Sequence, residues 1–401
     1  MTHLYVDPIF VDKEDETLYK SKKIRVDGKS FDTPIISYDM TVFRSIDKVA
    51  PQTKGLNEIY QLMGTEKVPI EKLMSNVKAE KDFDIRLQTK FNRTDFAHEV
   101  NIGILESESL SYPSEKELDY ILKTASIVSD IVPIPNFRNI TTNIDSDFQF
   151  SEYTNFLETV ISNVESYKNR KPIMGVIPKL SYTNTEKLVN FYSDKGFNAF
   201  YVDFAARNSI TAQRDFLHVF SVLQERDLIE KSFVYAFNVD AGRLSKNATV
   251  VNARDILSYG FGFDAMGRKH RRVKASSETW RKINTLPNRI RLFNRYDYGY
   301  HRILEAEKIK KLYPNDSCIS LEKLLSNFYT NVQELRRCEN MLKSEQLGLE
   351  ANNLKYIIKN DKPTKYLADK TYVKPIDLKT ITKFRKSLSN PAKPNWEDWF
   401  K

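Results

Sequence analysis

Cysteine and histidine are scarce in this 401-residue chain. Two cysteines, Cys318 and Cys338, cannot build a disulfide scaffold or a multi-cysteine zinc site. The five histidines, His3, His98, His218, His270 and His301, show no HxH or HxxxH spacing, so no structural metal is expected. No run of about 18 apolar residues occurs, which argues against a transmembrane helix. Residues Met1 to Thr17 are broken by acids and lack a basic stretch followed by an apolar one, so no secretory signal is read and the cytoplasm is the expected compartment. Neither GxGxxG nor GxxxxGK[ST] follows any strand candidate, which removes the standard nucleotide-cradling loops; no cofactor is expected.

What is present is an ordinary globular composition: 41% hydrophobic, 12% aromatic and 29% charged residues. The formal net charge is +9. Such a balance favours a polyanionic partner, because Lys and Arg next to phosphates release condensed counterions.

The first 30 residues are charged and read as a poorly packed lead-in or a short hairpin. Thr33 to Asp39 reads as a strand, Leu56 to Met63 as a helical stretch and Val100 to Leu105 as a strand. From residue 115 strands and helices alternate. Helices are expected over Glu115–Ser129, Tyr153–Tyr167, Thr185–Lys195, with Gly196 in the capping position, and Ala212–Asp227. Strands are expected over Asp130–Pro135, Pro172–Pro178, Ala199–Phe204 and Phe233–Val239, and a short helix over Ala253–Ser258 leads into Asp264. The strands are continuous apolar runs, the pattern of parallel strands buried on both faces. A barrel and an open doubly wound sheet both fit, and the missing glycine-rich loops favour a (β/α)8 TIM-like barrel. Leu321–Leu342 and Leu347–Ile358 read as charged helices. The expected organisation is a lead-in over 1–30, a barrel over 31–305 and a helical C-terminal extension over 306–401.

Active sites of parallel barrels lie at the C-terminal ends of the strands. The polar residues just past each apolar run are Asp39, Asn136, Lys179, Asp203, Asn238, Asp240 and Asp264. Several carboxylates on one rim suit acid–base work or covalent catalysis at a sugar carbon. Asp and Asn also start turns and cap helices, so each residue taken singly is as well explained by structure. Asp264 is flanked by Gly260, Gly262 and Gly267, which let a backbone approach a substrate closely, and precedes a basic stretch. From Arg268 through Arg295 there are ten Lys or Arg and one acid, Glu278, with Trp280 and Phe293 interleaved. That mixture fits phosphate contacts plus base stacking, with Arg268, Lys269, Arg271, Arg272 and Lys274 as the nucleic-acid contacts. A solvated basic face would look the same in sequence.

On these segments the chain resembles the tRNA-guanine transglycosylase superfamily, over roughly residues 30 to 300. Thr33-Pro34-Ile35-Ile36 is similar to the family's opening strand, Val128 to Val132 to its "gaDI" strand, Lys171 to Ile177 to its FGIVQGG strand and Phe197 to Asp203 to its "fdGyaiGG" strand. Gly262-Phe263-Asp264-Ala265-Met266 resembles the "DMFDCV" segment that carries the nucleophile. The family's CxCxxC…H zinc site is absent, its DSGGFQ segment is not recognisable, and its pocket glycines are replaced by Ile177-Pro178-Lys179 and Phe204-Ala205-Ala206. The likeness is therefore to the divergent zinc-less branch that inserts 7-deazaguanines into DNA.

The resemblance implies exchange of guanine for a 7-deazaguanine such as preQ0 through a covalent bond between Asp264 and C1′. The second carboxylate could be Asp39, Asp95 or Glu106, with Asp39 favoured. Substrate contacts would come from Asp203, Lys179, Asn238 and Tyr259. The implied partners are DNA or tRNA and the free base, with a homodimer or accessory modification proteins beside them. A zinc-less tRNA enzyme and a non-catalytic nucleic-acid-binding barrel subunit are the alternatives.

Overall fold

The computed structural model describes residues 3–64, 69–92, 96–144, 146–167, 170–242, 248–270 and 290–389. An antiparallel three-stranded sheet opens the chain, from β1 (Tyr5–Val11), β2 (Lys20–Val26) and β3 (Lys29–Asp32). It is no loose lead-in, because Lys20, Ser21, Lys22, Ile24 and Val26 of β2 are all buried.

Every pairing in the next strands is parallel. The set comprises β4 (Ile35–Ile36), β5 (Tyr38–Asp39), β6 (Leu56–Met63), β7 (Val100–Ser107), β8 (Val132–Pro133), β9 (Asn136–Phe137), β10 (Ile173–Ile177), β11 (Ala199–Asp203) and β12 (Phe233–Phe237). A short β13 (Val250–Asn252) then precedes β14 (Ala265–Met266). One sheet runs β4-β14-β12-β11-β10-β8 and the other β5-β6-β7-β9. A single residue, Ser37, separates β4 from β5, and Ile134 and Pro135 separate β8 from β9. The protein is thus an α/β fold built on parallel strands, as the unbroken apolar runs required.

Helices carry the chain back between strands: α1 (Ile70–Ser75) and α2 (Val77–Phe91), α3 (Glu115–Val128), α4 (Arg138–Thr141) with α5 (Asp147–Ser166), α6 (Tyr182–Asp194) and α7 (Ser209–Glu225). Their starts are set locally. Ser114 and Ser146 form capping boxes with Glu117 and Gln149, and the Ser181 and Asn208 side chains cap α6 and α7. Gly196 follows α6 with φ +77°, the left-handed conformation that suits glycine.

One local reading is corrected in this region. Leu56–Met63 is a strand rather than a helix. Its residues pair on both sides, Asn57 and Glu58 with Tyr38 and Asp39, and the whole strand with β7. Ladder pairing overrides the weak helical spacing there. The helix of that region is α2, whose buried stripe is Phe83, Leu87 and Phe91.

Beyond β14, β15 (Ile290–Asn294) and β16 (Gly299–Ile303) form an antiparallel sheet with β13. Then follow α8 (Ala306–Leu312), α9 (Leu321–Asn327), the long α10 (Val332–Asn360), α11 (Pro363–Ala368) and α12 (Pro375–Ser389). The sequence places two helices where α10 runs unbroken through Gly348, on which a Cβ would fall 2.8 Å from that of Thr53. No helix among the described residues is long and apolar enough to cross a membrane.

Asp264 lies where the parallel strands begin. Its backbone N–H donates to Val234 near the start of β12, and its carbonyl accepts from Ile35 at the start of β4. Its Oδ2 accepts from Lys22 Nζ at 3.1 Å and from the Val234 N–H at 2.8 Å. Both side chains are buried, at 0% and 1% exposure. Lys22 is further held by the carbonyls of Ile229 and Ser232. Burial lowers the Lys22 ammonium's pKa, and the Asp264 charge opposes that shift. The pair therefore fastens the N-terminal sheet to the strands. Asp264→Ala leaves a buried ammonium without its counter-charge, so denaturant melts should show a loss of about 3–5 kcal/mol. The Lys22→Met, Asp264→Leu double variant should recover much of it.

Candidate active site at the strand C-termini

A chain of polar side chains crosses the opposite end. Asp39 closes β5 and Glu58 stands level with it in β6. Both are almost fully buried, at 3% and 0% exposure. Desolvating two neighbouring carboxylates is costly unless cations and hydrogen bonds answer them. The segment after β14 supplies both. Arg268 Nη1 is 3.1 Å from Asp39 Oδ2, and the Arg268 N–H donates to Glu58 Oε1 at 3.0 Å. The His270 ring bridges the two acids, with Nε2 3.0 Å from Glu58 and Nδ1 4.0 Å from Asp39. Thr41 donates to Asp39 Oδ1 from its N–H at 2.9 Å and its hydroxyl at 2.6 Å. The Tyr235 hydroxyl donates to Glu58 and meets Ser37 at 2.7 Å.

The rest of the rim is polar as well. Tyr60 stacks on His270, ring centres 4.6 Å apart, and donates to Glu106 at 2.5 Å. Asn136 Nδ2 spans Glu106 at 3.1 Å and Asp203 at 3.4 Å. Asn238, with φ +65°, reaches Asp203 with its amide at 3.4 Å and accepts the His270 N–H at 3.0 Å. Lys269 pairs with Asp240. Of the sequence candidates, Asp39, Asn136, Asp203, Asn238, Glu106 and Asp240 therefore meet at one end, joined by Arg268 and Lys269.

Others do not join them. Asp264, read as the nucleophile, is committed to Lys22 where the strands begin, because it precedes β14 rather than following it. Tyr259, read as a substrate contact, is buried and donates its hydroxyl to the Ile35 carbonyl at the start of β4. Lys179 is exposed, and among the described residues no hydrogen bond or ion pair ties it to the cluster. Arg268 and Lys269, read as phosphate contacts, are engaged with carboxylates of the rim. Arg271, Arg272, Lys274 and Asp95 lie outside the described residues. Glu58, Tyr60, Tyr235 and His270 were not singled out. Glu58 and Tyr60 were hidden by the helical reading of their strand. An acid in an apolar segment directly after Gly55 was the available signal.

Comparison with known proteins adds no family. No family model matches the chain, and no curated protein matches it. Among solved structures, the enoyl reductase domain of MlnA from the macrolactin biosynthesis cluster of Bacillus amyloliquefaciens aligns over 86% of this chain and 96% of its own, at 9% identity and a TM-score of 0.28. A likeness that slight carries no argument, so the site stands on its own geometry.

The electrostatics divide two of its groups. Burial pushes the Asp39 carboxyl pKa up, but His270, Arg268 and the Thr41 bonds outweigh it, and the net shift is downward. Burial pushes the His270 pKa down, but Glu58 and then Asp39 outweigh it, and the net shift is upward. The two directions favour the ionised form of Asp39 and the protonated form of His270. Groups driven apart in this way are a common mark of acid–base sites, although structural ion pairs do the same. Among the described residues no cluster of three or more His, Cys, Asp or Glu is arranged to hold a metal ion.

Gly267 lets the capping segment cross here. A Cβ on it would fall 2.1 Å from the Tyr235 hydroxyl and 2.7 Å from Glu58 Oε2. Gly267→Ala should therefore lower the melting temperature, and adding Tyr235→Phe should restore part of the loss. The raised His270 pKa also has a sign. Its stabilisation is complete below the unfolded imidazole value of about 6.5 and is lost as pH rises through the higher folded value. Melts across that window should show this decline in the native protein and a flatter profile in His270→Gln.

Proposed function

We propose that the chain is a (β/α)8-barrel enzyme of the glycosyl-transfer class, acting on a nucleoside within a nucleic acid through Asp39 and His270. Support for the barrel comes from the pairing order. If β4 with β5 and β8 with β9 are each one strand, eight parallel strands follow in chain order and the last, β14, pairs with the first. The observation that carries the catalytic reading is the convergence of Asp39, Glu106 and Asp203 near the C-terminal ends of their strands, where barrel enzymes do their chemistry, with His270 and Glu58, early in β6 but level with Asp39, beside them.

The roles follow from the charges. Asp39, held ionised, attacks C1′ as the N-glycosidic bond breaks. The bonding pair leaves on the guanine, which takes a proton from the His270 imidazolium. An incoming 7-deazaguanine then attacks C1′ and displaces Asp39, returning its proton to His270. Glu58 orients His270 and stabilises its charge. The target base must leave its stack to enter. The nucleobase and polymer are what the transglycosylase resemblance implies, with Asp39 taking the place it assigns to Asp264. The net charge of +9 and the basic run from Arg268 to Arg295 favour a polyanion.

Radiolabelled preQ0 or guanine, offered separately with DNA and with tRNA, tests the proposal. Label should enter one polymer with the native protein and fall by about a hundredfold or more with Asp39→Asn or His270→Ala, while both variants keep the native circular dichroism spectrum. Failure of the native protein to label either polymer overturns the exchange reaction. Undiminished labelling by Asp39→Asn overturns its role as nucleophile.

A further inference from the structure

Side chains two apart in a strand share a face, so Glu58 and Tyr60 of β6 point the same way, as do Tyr235 and Phe237 of β12. The two pairs meet in two levels. Tyr235 donates to Glu58 in one, and the Tyr60 and Phe237 rings lie 5.9 Å apart in the other. His270 is laid on the aromatic level. Its ring is tilted 20° from Tyr60 with centres 4.6 Å apart, and 23° from Phe237 with centres 5.8 Å apart. A single hydrogen bond, Nε2 to Glu58, leaves an imidazole able to turn about that bond. A ring face stacked on it removes this freedom. Nδ1 is then kept 4.0 Å from Asp39, the group that attacks C1′ in the proposed reaction.

Tyr60 is itself fixed at its far end, where its hydroxyl donates to Glu106 at 2.5 Å. That donation raises the electron density of the ring, and an electron-rich face favours a cation resting on it. The charged groups facing the imidazole are Glu58 of β6 and Asp39 of β5, which favour its protonation, and Arg268 of its own segment, which opposes it. We propose that Tyr60 is a positioning residue for the proton transfer assigned to His270: its ring holds the imidazole plane with Nδ1 toward Asp39, and its face supports the imidazolium. The proposal rests on the role given to His270, and its test needs no substrate.

Titration of the imidazole resonances of the full chain by nuclear magnetic resonance, with His270→Gln to assign the signal, reads this contact. Tyr60→Gln keeps a donor for Glu106 and removes the ring, and it should lower the His270 pKa by about 0.5 or more. Tyr60→Phe keeps the ring and removes the hydroxyl, and it should recover at least half of that loss. Tyr60→Leu repeats the reading with an apolar replacement, so a folding defect in one variant does not decide the matter. In the labelling assay, the loss of exchange at rising pH should move to lower pH in Tyr60→Gln by the same amount, because a weaker imidazolium gives up its proton sooner. A native protein that labels neither polymer removes the reaction but leaves the titration readable, so the two failures are distinct. A His270 pKa unchanged or raised in both Tyr60→Gln and Tyr60→Leu, with the native circular dichroism spectrum, overturns the proposal. A fall in Tyr60→Phe as large as in Tyr60→Gln overturns it as well.

Discussion

Parallel strand pairing is the constraint on which the rest of this molecule depends. Strands that all run one way must be joined by returning helices, so every strand ends on the same side. The residues at or next to the ends of β5, β7, β11 and β12 are consequently neighbours, though up to two hundred positions separate them in the chain. Backbone hydrogen bonding thus gathers Asp39, Glu106, Asp203 and Asn238 before any side chain interacts.

Gathering carboxylates creates an electrostatic problem, and the segment after β14 answers it. Arg268 and His270 bring cationic groups to Asp39 and Glu58, and the backbone N–H groups of Arg268 and Thr41 complete the shell. The arrangement depends on Gly267, where a side chain would strike Tyr235 and Glu58. The same fold handles a buried charge differently where the strands begin. There Lys22 and Asp264 neutralise each other in full burial, and Lys22 spends its remaining donors on carbonyls. The first arrangement leaves an acid and a base driven in opposite directions next to the partly exposed Arg268 and Lys269. The second is closed to solvent and serves attachment of the N-terminal sheet.

Most of the strands and helices between residues 115 and 239 were legible in the sequence, since apolar runs and helical stripes differ in period, but α5 and α7 begin earlier than their stripes, behind the Ser146 and Asn208 caps, and the sheet of β13, β15 and β16 was not foreseen. The strand at Leu56–Met63 was not, because its character comes from pairing with β5 and β7 rather than from its own pattern. Asp264 shows a sharper limit. Its glycine-rich setting and basic neighbour fit a catalytic residue, yet that setting cannot tell whether an acid precedes or follows its strand. Three positions along the chain, from Asp264 before Ala265–Met266 to Gly267 after it, exchange one end of the sheet for the other.

The sequence by itself determined the class of fold, through apolar strands buried on both faces alternating with amphipathic helices. It also determined the acidic residues that follow those strands and the basic run after Met266. Only the tertiary structure decided which acids meet. It paired Glu58 with Asp39 through His270 and withdrew Asp264 to Lys22, partners 212, 231 and 242 positions apart. Such contacts are set by register and packing between distant segments, and a local pattern carries no information about them.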